Sequence, residues 1–473
     1  VEVSGDRLAD RIIVSGIGID SGVLDQGIIT LAISLFQTMK VKRLTMTSFR
    51  GIGNLTLEFP ETEATILIGI NGVGKSSILD CLAILLSHLT GLIQDPILYE
   101  GSFIEPNRAD GRKEIRRYFN ELDITNGCNE THNEIKISLE SQEVTWSLTE
   151  VRKGIKPNKL SQLKDLQIIS HRKRDEWETK PDKANLPLPV YYHVNREFCD
   201  DIPQETLQPH SFRQLEAYDQ ALTGARISFK SFLNWFKTLE DVENELRRDD
   251  PDHRDRQLEA VRQAITSLLT GFSDLRVRRS PLRMTVTKQG QELIIDQLSD
   301  GEKGLLALAG DLARRLAIAN PGLSEPLQGS GVVLIDEIEL HLHPKWQRGI
   351  IPDLTRTFPN CQFIVTTHSP QIISQVKPEG IYILEKIDRN IVAMRPESSY
   401  GRDSNRILED LMDTPERPQE IKENLLELFR LIARGDLDSA RLLHQKIADE
   451  IGADEPELVG ASVSIRRREI LGR

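Results

Sequence analysis

Residues 69–76 read Gly69-Ile70-Asn71-Gly72-Val73-Gly74-Lys75-Ser76, a complete G-x-x-x-x-G-K-[ST] phosphate loop. The loop follows an apolar run at 64–68 and opens into the helical apolar spacing of 77–82, so it stands between a strand and a helix start. That context separates a nucleotide site from a chance glycine turn. Glycines let backbone N–H groups close around phosphate oxygens, and the helix start adds the positive end of its dipole. Gly69, Asn71, Gly72, Gly74, Lys75, Ser76 and Ser77 are therefore expected to bind a nucleoside triphosphate. Lys75 would reach the β- and γ-phosphates, and the Ser76 hydroxyl would sit on Mg2+.

Outward from the loop, residues 42–46 and 55–59 alternate as strands on either side of the turn Phe49-Arg50-Gly51. Residues 39–90 thus read as the N-terminal lobe of a nucleotide-binding domain, and residues 1–38 as an over-long start or a loosely attached extension. Between 91 and 187 the periodicity loosens. One strand pair, 134–140 with 143–149, and a basic stretch from Arg152 to Arg174 make this region an expected insertion or lid. Residues 188–280 hold a buried strand at 189–196 and a short helical hairpin, with Phe229, Phe232, Trp235 and Phe236 spaced for one apolar face. Residues 281–400 start with a hairpin about Lys288-Gln289-Gly290. Strands and helices then alternate, as in a mostly parallel sheet covered by helices. Residues 401–473 read as a helical tail, with a helix N-cap at Asp436.

Composition sets bounds on function. The chain has 473 residues, 39% hydrophobic and 28% charged, with a net charge of −12. Two or three domains fit that length, and the acidic balance argues against a protein that coats nucleic acid uniformly while leaving room for local basic patches. Cys81, Cys128, Cys199 and Cys361 are widely spaced without a CxxC pair, which suits reduced thiols of a cytosolic protein. The uncharged run at 27–38 is too short to span a bilayer and lacks a basic flank, so neither a membrane anchor nor a signal peptide is expected.

Three further motifs follow in order. Leu298-Ser299-Asp300-Gly301-Glu302-Lys303 precedes a helical run at 304–319 and places a serine and a glycine at a helix N-terminus, an anion site. Val332-Val333-Leu334-Ile335-Asp336-Glu337 is a buried strand ending in two carboxylates: Asp336 for the Mg2+ shell and Glu337 to orient or deprotonate the attacking water. Phe363-Ile364-Val365-Thr366-Thr367-His368 is another strand, ending in a histidine.

These four motifs, in this order, resemble an ABC-type ATPase head of the RecF, SMC and OLD-like group. The first of the three is similar to the LSGGQ signature, with Asp300 in place of its first glycine. The resemblance implies an α/β fold with a mostly parallel sheet, helices on both faces, a helical insertion and a helical tail. It also implies ATP and Mg2+ as ligands and a homodimer or higher oligomer in which Ser299, Gly301 and Glu302 meet the ATP held by the opposite subunit. Catalytic roles fall to Glu337, His368 (the γ-phosphate switch) and Lys75. Arg50 is placed near the phosphates, and Glu339-Leu340-His341-Leu342-His343-Pro344 matches the group's D-loop. A Q-loop glutamine has no clear position.

The interval between Ser76 and Leu298 is too short for an SMC arm. After His368 the one D-x-D, Asp436-Leu437-Asp438, lies between amphipathic helical stretches rather than after an apolar strand, as a TOPRIM nuclease would need. The strand at 191–196, the aromatic-rich helix, the D-G-E-K signature and residues 399–405 resemble the ATPase subunits of Septu anti-phage defence systems. That resemblance implies an HNH endonuclease partner and a nucleic-acid target, with no nuclease site in this chain. A RecF-like repair ATPase and a sensor ATPase with a TOPRIM effector share the same head and remain alternatives. Arg466-Arg467-Arg468 could contact a partner or nucleic acid, or be a solvated terminal cluster.

Overall fold

The computed structural model describes residues 38–60, 64–95, 116–181, 183–194, 198–199, 213–388 and 390–471. The expected N-terminal extension therefore lies, up to residue 37, outside the described residues.

Strands β1 (Met39–Phe49) and β2 (Ile52–Glu58) form the hairpin about Arg50, and β3 (Ala64–Ile68) leads into the phosphate loop and helix α1 (Lys75–Gln94). Helix α1 is long and apolar enough to cross a membrane, but 83% of its most apolar stretch is buried inside the protein, so its apolarity serves the core. The pair β4 (Glu130–Leu139) and β5 (Gln142–Val151) is where the expected lid gives way. Strand β4 runs antiparallel to β1, with Val41 opposite Ile137 and Leu44 opposite Ile135, in a sheet ordered β2-β1-β4-β5. Ile135, Ile137 and Trp146 bury there against the lobe, so this stretch completes the first lobe's sheet. Helix α2 (Lys164–Thr179) follows.

Strand β6 (Leu188–Tyr192) enters the central sheet, and α3 (Phe229–Leu246) and α4 (Arg256–Leu268) form the helical hairpin. All four expected aromatic residues of α3 are buried. Phe232 presses on Gly310, where an added Cβ would lie 3.0 Å from its ring, so the hairpin is laid onto the next helix rather than projecting as an arm. Strands β7 (Phe272–Arg279), β8 (Leu282–Lys288) and β9 (Gln291–Ile294) form one antiparallel sheet. The expected boundary at 280/281 falls in the turn between two of its strands, so the regions on either side are one unit.

Helix α5 (Asp300–Ala319), β10 (Gly331–Ile335), α6 (Pro344–Thr357), β11 (Cys361–Thr366) and the hairpin β12 (Ile381–Ile387) with β13 (Asn390–Met394) complete the second lobe. The central sheet has the order β13-β12-β3-β11-β10-β6, parallel except for its edge hairpin. Register aligns the strand ends: Ile335 lies opposite both Tyr192 and Val365, and Thr366 opposite Leu67. The phosphate loop, the two acids and the switch histidine thus leave the sheet at one edge, where open α/β sheets bind ligands.

Helix α7 (Ser404–Met412) packs on the ATPase core through Ile407, so the tail separates only after it. Helices α8 (Gln419–Arg434), α9 (Leu437–Ile451) and α10 (Pro456–Leu471) enclose their own apolar core of Leu425, Leu428, Ile447 and Leu458. The Asp436 carboxylate accepts the Ser439 amide, the expected N-cap, and α10 is the last helix of the tail.

Candidate functional site

Every residue of β3 is buried, which delivers the loop from a rigid base. Gly69 has φ +145°, and a Cβ there would come within 2.4 Å of the Leu384 carbonyl oxygen; no other residue fits. Gly74, at φ +104°, ends the loop against Ile52 and Ile391, and the helix starts at Lys75. Asn71 and Gly72 are exposed on the outer turn, and Ser77 is half-buried on the helix. The Lys75 ammonium folds over the loop and donates to the carbonyls of Gly69 at 2.8 Å and Ile70 at 3.1 Å. Burial lowers its pKa, against the opposing pull of Asp336, Glu337 and Glu339. It therefore sits among three carboxylates at the mouth of the loop.

Strand β10 brings Asp336 to the same place. Its carboxylate accepts from the Ser76 hydroxyl at 3.1 Å and from the Thr366 hydroxyl at 2.6 Å. Ser76 and Asp336 stand 260 positions apart in the chain yet present adjacent oxygens, the hard donor set that Mg2+ takes. Thr366 also accepts the Glu337 amide at 2.7 Å. That bond helps to hold Glu337 at φ +44°, a left-handed turn uncommon for a residue with a side chain. It turns the chain sharply just past the strand, at the point where the second acid emerges.

Glu339, two residues on, grips the switch strand. It accepts the Thr367 hydroxyl at 2.7 Å and the His368 amide at 2.5 Å. His368 itself is half-buried, and its Nε2 is shielded from water with no hydrogen-bond partner among the described residues. A buried nitrogen left this way costs free energy unless something occupies it, which suits a group that reads a ligand.

The signature lies elsewhere. Ser299 caps α5 in a reciprocal arrangement with Glu302, whose carboxylate accepts the Ser299 amide at 3.0 Å. Glu302 is also paired with Lys288 at 2.6 Å; burial pushes its pKa up, but Lys288 and Ser299 hold it below the usual range. Gly301 approaches the His341 carbonyl so closely that a Cβ would sit 2.4 Å from it. Ser299, Asp300 and Gly301 line an open cleft of about 560 Å3 with His341, His343, Lys345 and Trp346, and no residue of the phosphate loop lines it. His343 caps α6 by accepting the Lys345 amide, so its ring serves the helix start.

Arg50, expected near the phosphates, is held by two carboxylates. Its guanidinium pairs with Asp80 on α1 at 2.5 Å and with Asp123 at 2.7 Å. Asp80 also pairs with Arg117, which donates to the Leu222 carbonyl. Asp80, Thr366 and Glu339 are structural partners of the site that the sequence reading did not single out. Glu339 was visible in the E-x-H-L-H-P run; Asp80 had no local signal. Strand β6 borders β10, and the Asp336 amide donates to the Tyr192 carbonyl, so the chain after Tyr192, starting with His193, leaves beside the acids.

A nucleotide loop, a two-acid strand end and a histidine on one sheet edge, with a signature-like helix start lining a separate cleft, make this an ABC-type P-loop ATPase. The chain belongs to the family described as AAA domain, putative AbiEii toxin, Type IV TA system, whose model matches residues 64–374. It is 30% identical to the Retron Ec83 probable ATPase of Escherichia coli, over 91% of this chain and 87% of that one. It is 29% identical to the Retron Vc95 probable ATPase of Vibrio cholerae serotype O1 biovar El Tor, over 85% of each chain. Similarity also extends to Septu protein PtuA of Bacillus thuringiensis, 24% identical over 80% of this chain and 85% of the other.

Proposed function

We propose that two copies of this ATPase enclose ATP with Mg2+, each nucleotide lying between the Gly69–Ser76 loop of one copy and Ser299–Gly301 of the other. We further propose that its turnover controls a partner HNH endonuclease in a defence module of the retron or Septu kind. The single observation behind this is the separation of the two half-sites: the loop, Ser76 and Asp336 converge, while the signature cleft has its own lining, without a residue of the loop. Ser299 at a helix N-terminus is an anion site lacking an anion from its own loop, and a second copy supplies one.

Ser76 and Asp336 would hold Mg2+, which neutralises charge building on the β- and γ-phosphate oxygens. Lys75 leaves the Gly69 and Ile70 carbonyls to reach the same oxygens. Glu337 orients a water and accepts its proton as the oxygen attacks the γ-phosphorus. The bond from γ-phosphorus to the bridging oxygen breaks, and that oxygen leaves on ADP. His368 presents Nε2 toward the γ-phosphate, held in place by Glu339. ATP binding joins the copies, and hydrolysis separates them. The relatives' names, retron ATPase and Septu PtuA, supply the defence setting.

Glu337→Gln should keep ATP binding while lowering turnover by about 10²- to 10⁴-fold, the range of a lost general base. It should also accumulate ATP-dependent dimers, read by light scattering. Turnover at the wild-type rate would remove Glu337 from the mechanism. Co-purification with the product of the adjacent gene tests the nuclease partner separately.

A further inference from the structure

The C-terminal bundle closes its own core, yet one face of its last helix points away from it. On α10, Leu458, Ala461 and Ile465 turn inward, whereas Val459, Val463 and Ile470 are 48%, 63% and 69% exposed. Together with Pro456 and Arg466, they fall at 456, 459, 463, 466 and 470. That alternation of threes and fours is the seam of a coiled coil. Gly460 lies beside the valines, and an added Cβ there would meet nothing within 4 Å, so a neighbouring backbone can approach.

The two ends of this helix carry opposite charge. Asp454, Glu455 and Glu457 cluster at the start, where Arg417 bonds Glu455 at 3.2 Å and Glu457 at 2.9 Å. Arg466, Arg467 and Arg468 crowd the other end, exposed and without an ion pair among the described residues. The nearby Glu469 is engaged by Arg441.

We propose that this face of α10 binds the same face of a second copy as an antiparallel helix pair, an interface independent of nucleotide. Parallel pairing would bring the two basic ends together; antiparallel pairing brings the basic end of each helix to the acidic start of its neighbour. In an antiparallel seam the two kinds of layer face each other, so Val463 meets Val459 of the second copy and Arg466 meets Pro456. The helix has 16 residues, about 24 Å at the usual rise. So short a seam gives a concentration-dependent dimer, and ATP-driven closure of the ATPase core would then link dimers into larger assemblies.

The test uses the full chain without nucleotide, so its result does not depend on the proposed ATP sandwich. Sedimentation or light scattering across a micromolar concentration series should show a monomer–dimer equilibrium. Val463→Asp should raise its dissociation constant at least tenfold, and the double change Arg466→Glu with Arg467→Glu should raise it severalfold. Both variants should keep the helical circular dichroism and ATPase rate of the parent. For orientation, Val459→Cys and Val463→Cys chains are mixed under mild oxidation, with Cys128 and Cys199 replaced by serine. The mixture should crosslink more than either variant alone. A strictly monomeric nucleotide-free chain, or dimerisation unaffected by Val463→Asp, would overturn the proposal. Self-crosslinking of Val463→Cys above that of the mixture would indicate a parallel pair and overturn it equally.

Discussion

The two halves of the proposed nucleotide site are built in opposite ways. The phosphate-loop half hangs on strands with fully buried cores, and its groups are cross-braced: Ser76 to Asp336, Asp336 to Thr366, Thr366 to Glu337, Glu339 to His368. The signature half stands at the exposed start of one helix, braced by its own cap and by the His341 carbonyl pressed against Gly301. One half positions chemistry and must be rigid before substrate arrives. The other presents a surface, which fits a group whose ligand comes with another molecule.

The strongest way to break that contrast is complementation. Lys75→Ala disables the first half and Ser299→Arg the second, and each alone should abolish hydrolysis. Mixed in equal amounts, they should recover up to about a quarter of wild-type activity, because half of randomly formed two-fold dimers keep one intact site. No recovery, measured as phosphate release, would place both halves of the site in one chain.

A second test asks how the halves are joined. Buried Asp311 on the signature helix takes hydrogen bonds from Tyr192 on β6 at 3.0 Å, Arg315 at 2.6 Å and Arg314 at 2.9 Å. Burial alone would raise its pKa, but the two arginines bring it down to about 2. Asp311→Asn leaves those arginines uncompensated and should cost about 3–5 kcal/mol of stability, visible in denaturant unfolding. Because the folded pKa lies below the unfolded value of about 3.9, this contribution is complete above pH 4 and fades as pH falls toward 2. The variant's deficit should shrink over the same window.

Within the rigid half, Thr366→Val removes the hydroxyl shared by Asp336 and the Glu337 amide. A lost bond to a charged group corresponds to about tenfold in rate, to be checked as kcat with little change in KM. The smallest effect belongs to the tail. Asp436→Ala should destabilise the terminal bundle by about 1 kcal/mol, seen in hydrogen exchange of α9, with ATP hydrolysis unchanged. A drop in hydrolysis there would mean that the bundle and the ATPase core are coupled more tightly than their separate apolar cores suggest.

Much of this was legible in the residues. The loop, the two-acid strand, the switch strand and the aromatic face of α3 each declare themselves within a few positions, because glycine torsions, strand burial and helical spacing are local demands. The lid was misread for the opposite reason. Strands β4 and β5 alternate like any exposed hairpin, and only the pairing of β4 with β1 shows that they belong to the first lobe. Arg50 stood in a recognisable turn, but its partners Asp80 and Asp123 come from segments 30 and 73 positions away.

The sequence alone determined the chemistry on offer: a phosphate-binding loop, a metal-competent hydroxyl and carboxylate, a candidate base and a candidate sensor, in a fixed order along the chain. Only the tertiary structure decided that a parallel sheet lines up their strand ends on one edge, that Thr366 and Glu339 brace them, and that the signature lines a cleft apart from the loop. Register between distant strands is set by the packing of buried side chains across the whole sheet, so no short stretch contains it.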